Sequence, residues 1–457
     1  MSKKLNLSII WKALVIGVLI LIMLIPLAFV RGNITGRLDY KDNAKAKVTD
    51  SWGGPIAIAA PILNIPYTVE SVDENKKKSY STAYAKFAPK NVDIKVNLLS
   101  QSRYIGIFEV PVFTAEITMA GSFDKLPAGD MEDAMQLKNA FVTLEINDLK
   151  GISTPDFVWR GKNLEFAPAV YGNPLSLSIP RSYGYDTDSS FVVTKYDRYD
   201  NYGSNSNVLK SLSSRVEFNN DSSQFEIKFK IKGSDSISFA PIAKENNFAI
   251  SSTWANPSFS GAFLPDTKTI NSEGFNAKWN ISYLASGIPT RLNGADLSSA
   301  IFKTALLVPV DNYRAAERAT KYGILFIILT FLSFFVFEIT SKKPVHPFQY
   351  LLAGLAMAIF YMLLLSISEF IPFGWAYLIA AAAVVIMLTV YLKFAVLKSM
   401  SVKNMLLVAA AFSALYGYLY ILLQLQDMAL IFGSISLFVA LAIVMYATRN
   451  ISWYEEQ

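Results

Sequence analysis

Cysteine is absent from the 457 residues, and histidine occurs once, at His346. The first absence removes disulfides, thiol nucleophiles and every cysteine-ligated metal site. The second leaves imidazole-rich metal centres and serine–histidine nucleophiles without their parts. Charge is also scarce. Asp, Glu, Lys and Arg make up 17% of the chain against 52% hydrophobic residues, with mean hydropathy +0.32. A chain of this length that lived wholly in water would form about two to four domains, and this composition argues against that. The formal net charge of +6 comes from lysines and arginines beside apolar runs, so no nucleic-acid partner is expected.

What the chain does have is apolar runs. Trp11–Val30, Gly323–Phe337, Tyr350–Ser368, Gly374–Leu392, Met405–Leu423 and Met428–Ala447 are almost free of charge. Each comes near the ~20 residues that cross a ~30 Å hydrocarbon core, the run from Gly323 being the shortest. The arrangement predicts one span, a large water-exposed domain, then five spans in quick succession. The N-terminus MSKKLNLSIIWK has the basic start of a signal peptide, but LIPLAFVRG offers no small-x-small cleavage site, which predicts an uncleaved signal anchor.

Short loops set orientation. Lys342, Lys343 and His346 follow the second span, SEFIPFG carries no Lys or Arg, Lys393, Lys398 and Lys403 come next, QLQD has none, and Arg449 opens the tail. The alternation predicts both termini in the cytoplasm and the large domain outside it. Arg31, Arg37, Arg314, Arg318 and Lys321 oppose the rule, which is weak for a long translocated domain. The expected domains are 1–30 (tail and first span), 31–310 (exported domain), 311–322 (juxtamembrane stalk) and 323–457 (five-helix bundle).

Within the exported part, apolar and polar residues alternate at Val92–Leu98, Phe225–Ile231 and Phe275–Tyr283. Period two means one buried and one wet face, so the domain is expected to be mainly β, with sandwich-like sheets. RVEFNNDSSQFEIKFKIKG and YTVESVDENKKKSYSTAYAKF each suggest a hairpin. MEDAMQL suggests a short helix, and DTDSSFVVTKYDRYDNYGSNSN a long polar loop.

RAAERATKYGILFIILTFLSFFVFE, residues 314–338, joins a charged helical pattern to an apolar run. Asp311 is a fair N-cap, and Glu317 and Lys321 stand i,i+4 in the favourable order. No proline interrupts it, so one helix over 311–337, about 40 Å long at 1.5 Å per residue, is expected. Arg314, Glu317, Arg318 and Lys321 then lie either on a rigid stalk or on a merely solvated helix end.

RATKYGILFIILTFLSFFVFE, HPFQYLLAGLAMAIFYMLLLSISE, NPSFSGAFLP and SWGGPIAIAAPILNIPY together resemble the CreD family of bacterial inner-membrane, or cell envelope integrity, proteins, from Trp11 to the C-terminus. Two departures stand out: Ala60-Pro61 where the family tends to Gly-Pro, and Phe370 where a histidine often follows the glutamate. The resemblance implies a bacterial inner-membrane location and a periplasmic domain. It also implies an association with an envelope and antibiotic-stress regulon, with high expression linked to colicin tolerance. It implies no particular chemistry.

Ionisable residues at membrane depth are candidate functional groups by default. Glu338 is expected to pair locally with Lys342. His346 is expected to cap the helix of Tyr350 rather than move protons. Glu369 is expected at the outer interface. NPSFSGAFLP (Asn256, Pro257, Phe259, Gly261, Phe263, Pro265) reads as a tight turn packing aromatics and as a candidate docking loop. Ser258 and Ser260 lack a histidine to activate them, so no catalytic, cofactor or metal residue is assigned. Two functions follow. One is a non-enzymatic envelope protein, embedded in the lipid bilayer, whose β domain binds an envelope protein, lipid or polysaccharide. The alternative is a transporter or channel built on the five-span bundle.

Overall fold

A computed structural model describes residues 7–72, 77–126, 135–168, 210–293, 295, 297–308, 312–341, 345–396, 402–424 and 429–448. The polar stretch 186–207, Asp311, Lys342, Lys343 and most of MEDAMQL lie outside the described residues. The chain divides into two compact units, Met1–Asp42 with Val310–Gln457, and Asn43–Pro309.

Helix α1 (Leu7–Trp52) is continuous over 46 residues and carries Pro26 inside it, about 69 Å at 1.5 Å per residue. The boundary expected at residue 30 is thus corrected. The helix runs on through a polar stretch, and the division between units falls within it. It stops at Gly53, whose φ of 133° suits glycine. A Cβ there would also lie 2.6 Å from the Lys232 carbonyl oxygen. The last turns are held within the β unit. Lys45 pairs with Asp235 at 2.9 Å, Val48 packs on Val110 and Val112, and the Trp52 ring lies between the Arg103 and Lys232 cations.

The β unit starts with β1 (Ile56–Ala59), β2 (Ile62–Val72), β3 (Lys78–Phe87), β4 (Asn91–Ile105), β5 (Phe108–Phe123), β6 (Phe141–Ile146), β7 (Asp156–Trp159), β8 (Lys162–Leu164) and β9 (Ala167–Pro168). It continues with β10 (Lys210–Arg215), β11 (Ser223–Ser234), β12 (Ser236–Ala240), β13 (Glu245–Ser252), β14 (Pro257–Gly261), β15 (Thr267–Asn271), β16 (Gly274–Ser282), the one-turn α2 (Tyr283–Ser286) and β17 (Phe302–Leu306). Among the described residues these form two sheets. One has nine strands in the order β14-β17-β12-β1-β6-β10-β9, with β2 on β6 and β3 on β2. The other has eight, β15-β16-β13-β4-β5-β11-β7-β8.

The period-two residues point into one shared core. Val92, Ile94, Val96 and Leu98 of β4 face inward, as do Phe225, Ile227, Phe229 and Ile231 of β11. The sheets meet through rings: Phe248 of one sheet against Phe239 (5.4 Å) and Phe302 (4.8 Å) of the other, and Trp279 against Phe302 (4.8 Å). Such pairs contribute about 0.5–1.5 kcal/mol each beyond area burial. Tyr283, expected to continue the β16 alternation, instead opens α2, which Ser282 caps.

β2 and β3 form the expected hairpin, with Tyr67 opposite Ala83. The second expected hairpin is not one. β10 and β11 belong to different sheets, because the chain turns the sandwich corner between them. Asn220 adopts φ 57° there and its side chain accepts from the Leu126 N–H at 2.7 Å, while Val216 and Phe218 are buried in the core. β6 is buried on both faces. This puts Glu145 and, on β3, Lys86 inside the unit. Burial holds the Lys86 ammonium below its usual pKa, and the Glu145 carboxylate partly offsets that.

The C-terminal part is helical: α3 (Asn312–Lys321), α4 (Gly323–Ser341), α5 (Pro347–Ser368), α6 (Phe373–Tyr391), α7 (Val402–Gln424) and α8 (Ala429–Thr448). Three helices among the described residues are long and apolar enough to cross a membrane, α1, α5 and α6, and α3 with α4 makes a fourth if counted as one bent span. Val408–Gln424 within α7 is a shorter apolar helix. The unbroken helix expected over 311–337 is corrected: α3 and α4 meet at a 49° bend around Tyr322. Gly323 lies at the bend and faces α1, and α3 buries Tyr313, Ala315, Ala316, Ala319 and Thr320. Helix α3 is therefore an amphipathic helix packed within its unit, not a projecting stalk.

Candidate functional site

Helix α1 and the C-terminal helices are joined by a stripe on α1. Lys12, Met23, Leu27, Val30, Ile34 and Arg37 are spaced by 11, 4, 3, 4 and 3 residues, which keeps them on one helical face. The four apolar members are buried. Glycines on the facing helices admit them. A Cβ at Gly354 would come within 2.4 Å of the Met23 sulfur, and one at Gly323 within 2.7 Å of Leu27 Cδ1. These are positions where only a hydrogen lets the helices approach this closely.

The two ends of the stripe are charged, and each end meets a carboxylate. Lys12 Nζ pairs with Glu338 Oε1, and the Tyr350 hydroxyl donates to Glu338 Oε2 at 3.1 Å. Arg37 Nε lies 3.1 Å from Glu369 Oε1, to which the Tyr313 hydroxyl donates at 3.4 Å. Both carboxylates are nearly buried, with side-chain exposures of 9% and 8%, whereas their cations are partly exposed. Lys12 and Arg37 are 25 residues apart, about 38 Å along the helix, slightly more than a ~30 Å hydrocarbon core. The pairs thus stand at the two ends of a bilayer-length stretch. The arrangement neutralises buried charge and fixes the register of α1.

The other predicted residues occupy separate places. His346 is the N-cap of α5. Its Nδ1 accepts from the Phe348 N–H, its own N–H donates to Gln349 Oε1, and Pro347 takes the first helical position. In α3, Arg314, Glu317 and Arg318 are half-buried and Lys321 is exposed. No Glu317–Lys321 ion pair forms among the described residues. Pro257–Gly261 is a strand, β14, rather than a tight turn. Phe259 packs on Phe275 and Trp279. Trp279 Nε1 donates to the Phe263 carbonyl. Gly261 sits at φ 100° against the Ile301 carbonyl. Its aromatics therefore serve the core; Leu264 is the exposed apolar side chain beside Pro265. No group of three or more His, Cys, Asp or Glu that could hold a metal occurs among the described residues.

Lys12, Arg37, Tyr313 and Tyr350 escape a sequence reading that looks for partners nearby. The spacing of the α1 stripe places Lys12 and Arg37 on its buried face, but no local signal points to their partners or to Tyr313 and Tyr350. A local partner for Glu338 was expected at Lys342; the observed one is 326 residues away.

Comparison with known proteins agrees with this architecture. The profile described as "Inner membrane protein CreD" matches residues 8–454. The chain belongs to the CreD family. It is 31% identical over 453 residues to the inner membrane protein CreD of Escherichia coli (strain K12), covering 97% of this chain and 93% of that one. CreD membership fits a membrane protein with an N-terminal apolar helix, a mainly-β middle region of two sheets and apolar helices after it.

Proposed function

We propose that this CreD-family chain is a non-enzymatic inner-membrane protein that serves cell envelope integrity, and that its β unit lies in the periplasm and binds an envelope protein, lipid or polysaccharide. In this reading six helices span the bilayer, both termini are cytoplasmic, and the protein acts in envelope stress, including tolerance to colicins. The observation that carries it is the neutralisation of Glu338 and Glu369 by cations of α1. Ionisable groups at membrane depth commonly mark an ion pathway; here they are taken up in holding the helices together. The alternating positive loops support the orientation.

Alkaline-phosphatase fusions after Gly233 are expected to be active, and fusions after Lys343 or Lys403 inactive; the reverse pattern overturns the orientation. Crosslinking in cells from exposed β-unit positions, read by mass spectrometry, is expected to recover a periplasmic component. Recovery of cytoplasmic proteins alone would refute the binding role.

One feature favours the transporter reading. Among the described residues the buried hydroxyls of Thr330, Tyr361 and Tyr416 have no hydrogen-bond partner, and Tyr361 and Tyr416 lie in an aromatic cluster in which the Phe360 ring touches Tyr361, Tyr377 and Tyr416. Solute flux in proteoliposomes that Tyr361→Phe abolishes would move the assignment to transport.

A further inference from the structure

The outward face of the eight-stranded sheet carries a cationic trough whose floor is a small side chain. Ala249 of β13 stands in register with Lys95 of β4 on one side and Lys278 of β16 on the other. Both lysines are exposed and Ala249 is half-buried. Adjacent strands lie about 4.8 Å apart, so the two ammonium-bearing strands flank a gap about two strand spacings wide. The depression encloses about 350 Å³.

Rows of polar side chains edge it. On one side Asn276, Ser251, Asn97, Glu116 and Lys230 align across five strands. Asn97 donates to Glu116 at 3.2 Å, and Lys230 pairs with Glu116 at 2.7 Å. The hydrogen bond from Lys230, then that from Asn97, holds the Glu116 carboxyl below its ordinary pKa. On the other side Asn280 donates to Asn247 at 2.9 Å, and Asn247 to Asp93 at 2.8 Å. The acids of both rows are thus engaged. Lys228 is engaged too, with Glu226 at 2.8 Å. Lys95 and Lys278 have no ion pair among the described residues.

We infer that this trough binds an acidic polysaccharide strand, with Lys95 and Lys278 meeting its carboxylate or phosphate groups over Ala249, and Asn97, Ser251 and Asn276 hydrogen-bonding its hydroxyls. The inference deepens the reading that the β unit is the binding part of the protein and rests on it. Charge complementarity selects an anion. The lining has no aromatic side chain on which nucleic-acid bases could stack, and no long apolar side chain reaches out from the floor to hold an acyl chain. Amide and hydroxyl rows on a trough open along the sheet suit a hydroxyl-rich chain.

The test uses the full chain in phosphatidylcholine nanodiscs, with polygalacturonate as the acidic probe and dextran as its neutral counterpart. Polygalacturonate is expected to bind, more weakly as salt rises, and dextran is not. Lys95→Gln/Lys278→Gln is expected to weaken binding at least about tenfold, as for loss of facing charges. Lys228→Gln/Lys232→Gln, which removes the same charge from the same sheet and leaves the Lys230–Glu116 pair in place, is expected to change it less than about threefold, since Lys228 is paired with Glu226 and Lys232 lies on the Trp52 ring. Ala249→Trp, which fills the floor and leaves every charge, is expected to abolish it. Three results overturn the inference: no binding of polygalacturonate, equal losses in the two lysine pairs, or binding of phosphatidylglycerol vesicles that polygalacturonate does not displace. If the trough fails while crosslinks from other β-unit positions recover a periplasmic component, the site is wrong and the binding role stands.

Discussion

Two helical stretches join an apolar run to a charged one, and they behave oppositely. Leu7–Trp52 contains a proline and stays one helix, whereas Asn312–Ser341 contains none and bends by 49°. A proline costs a helix a hydrogen bond and a clash with the preceding turn. In α1 the stripe from Met23 to Ile34 is buried along its length, so packing on both sides of Pro26 keeps the axis. In α3 and α4 the buried positions Tyr313, Ala316, Thr320, Gly323, Ile327 and Phe334 keep spacings of three, four or seven across the bend. Helix α3 lays Ala315, Ala316 and Ala319 against its unit, and Gly323 opens α4 with no side chain, where Leu27 presses in. Continuity is decided by what each turn packs against, more than by the presence of a breaker.

The contrast can be broken hardest at the charged end of α1. Lys12→Met is expected to strand the buried Glu338 and cost about 3–5 kcal/mol, and Lys12→Met/Glu338→Leu to recover most of it. Reversible unfolding in mixed micelles measures both. Equal losses for the single and double variants would show that the pair does not anchor α1. Arg37→Met is expected to cost less, because Arg37 is more exposed than Lys12.

The β unit offers a second buried cation for the same test. Lys86 has its pKa lowered by burial, so the folded chain holds this proton less tightly than the unfolded one. Its destabilising effect is therefore present at neutral pH and fades as pH rises toward the unfolded value near 10.5. Stability measured against pH is expected to climb more steeply over the alkaline range in the natural chain than in Lys86→Met/Glu145→Leu. Parallel curves would refute it.

A smaller effect separates the second partner of Glu338. Tyr350→Phe keeps the ring contacts with Phe331 and Phe334 and removes one hydrogen bond to a charged group, worth about 1.5–3 kcal/mol. The unfolding midpoint is expected to fall without loss of the fold.

The finest test pairs two glycines and expects opposite signs. Gly32 in α1 has open space where a Cβ would go, so Gly32→Ala is expected to stabilise by about 0.5–1 kcal/mol. Gly323→Ala meets Leu27 and is expected to destabilise and to shift α1. Thermal unfolding of the two variants, run side by side, reads the signs; the same sign in both would remove Gly323 as the cause of the close approach.

The sequence made much of this legible. The described residues of each of the six apolar windows are helical, and the alternations at Val92–Leu98 and Phe225–Ile231 are strands with the expected face inward. These are local signals, readable within one turn or one strand. What was hidden is non-local. Lys12 with Glu338 and Arg37 with Glu369 join residues more than 300 positions apart, which no spacing rule reaches. The break before Gly323 was hidden as well, and it lies where Leu27 of another helix presses in, a contact that no local pattern reveals. Sheet membership of β10 and β11 was hidden too, because alternation tells which face is buried and not which sheet a strand joins. The trough is intermediate. Lys95 and Lys278 are visibly on outward positions, yet only the register over Ala249 sets them side by side.

The place of β17 carries a consequence for how the chain can be made. It is the last strand among the described residues, yet it lies inside the nine-stranded sheet, between β12 and β14. The sheet therefore cannot grow strand by strand in the order of synthesis. β1 waits for β12, its parallel partner some 180 residues later, and β14 has no neighbour until β17 arrives. A nascent or prematurely terminated chain that stops before Phe302 leaves β12 with an open side and β14 without a partner, and unpaired strand edges are templates for aggregation. Shortened products of this chain are thus expected to be cleared or to aggregate rather than to persist as partly working proteins, so translation must reach Leu306 before the β unit is safe from its own edges.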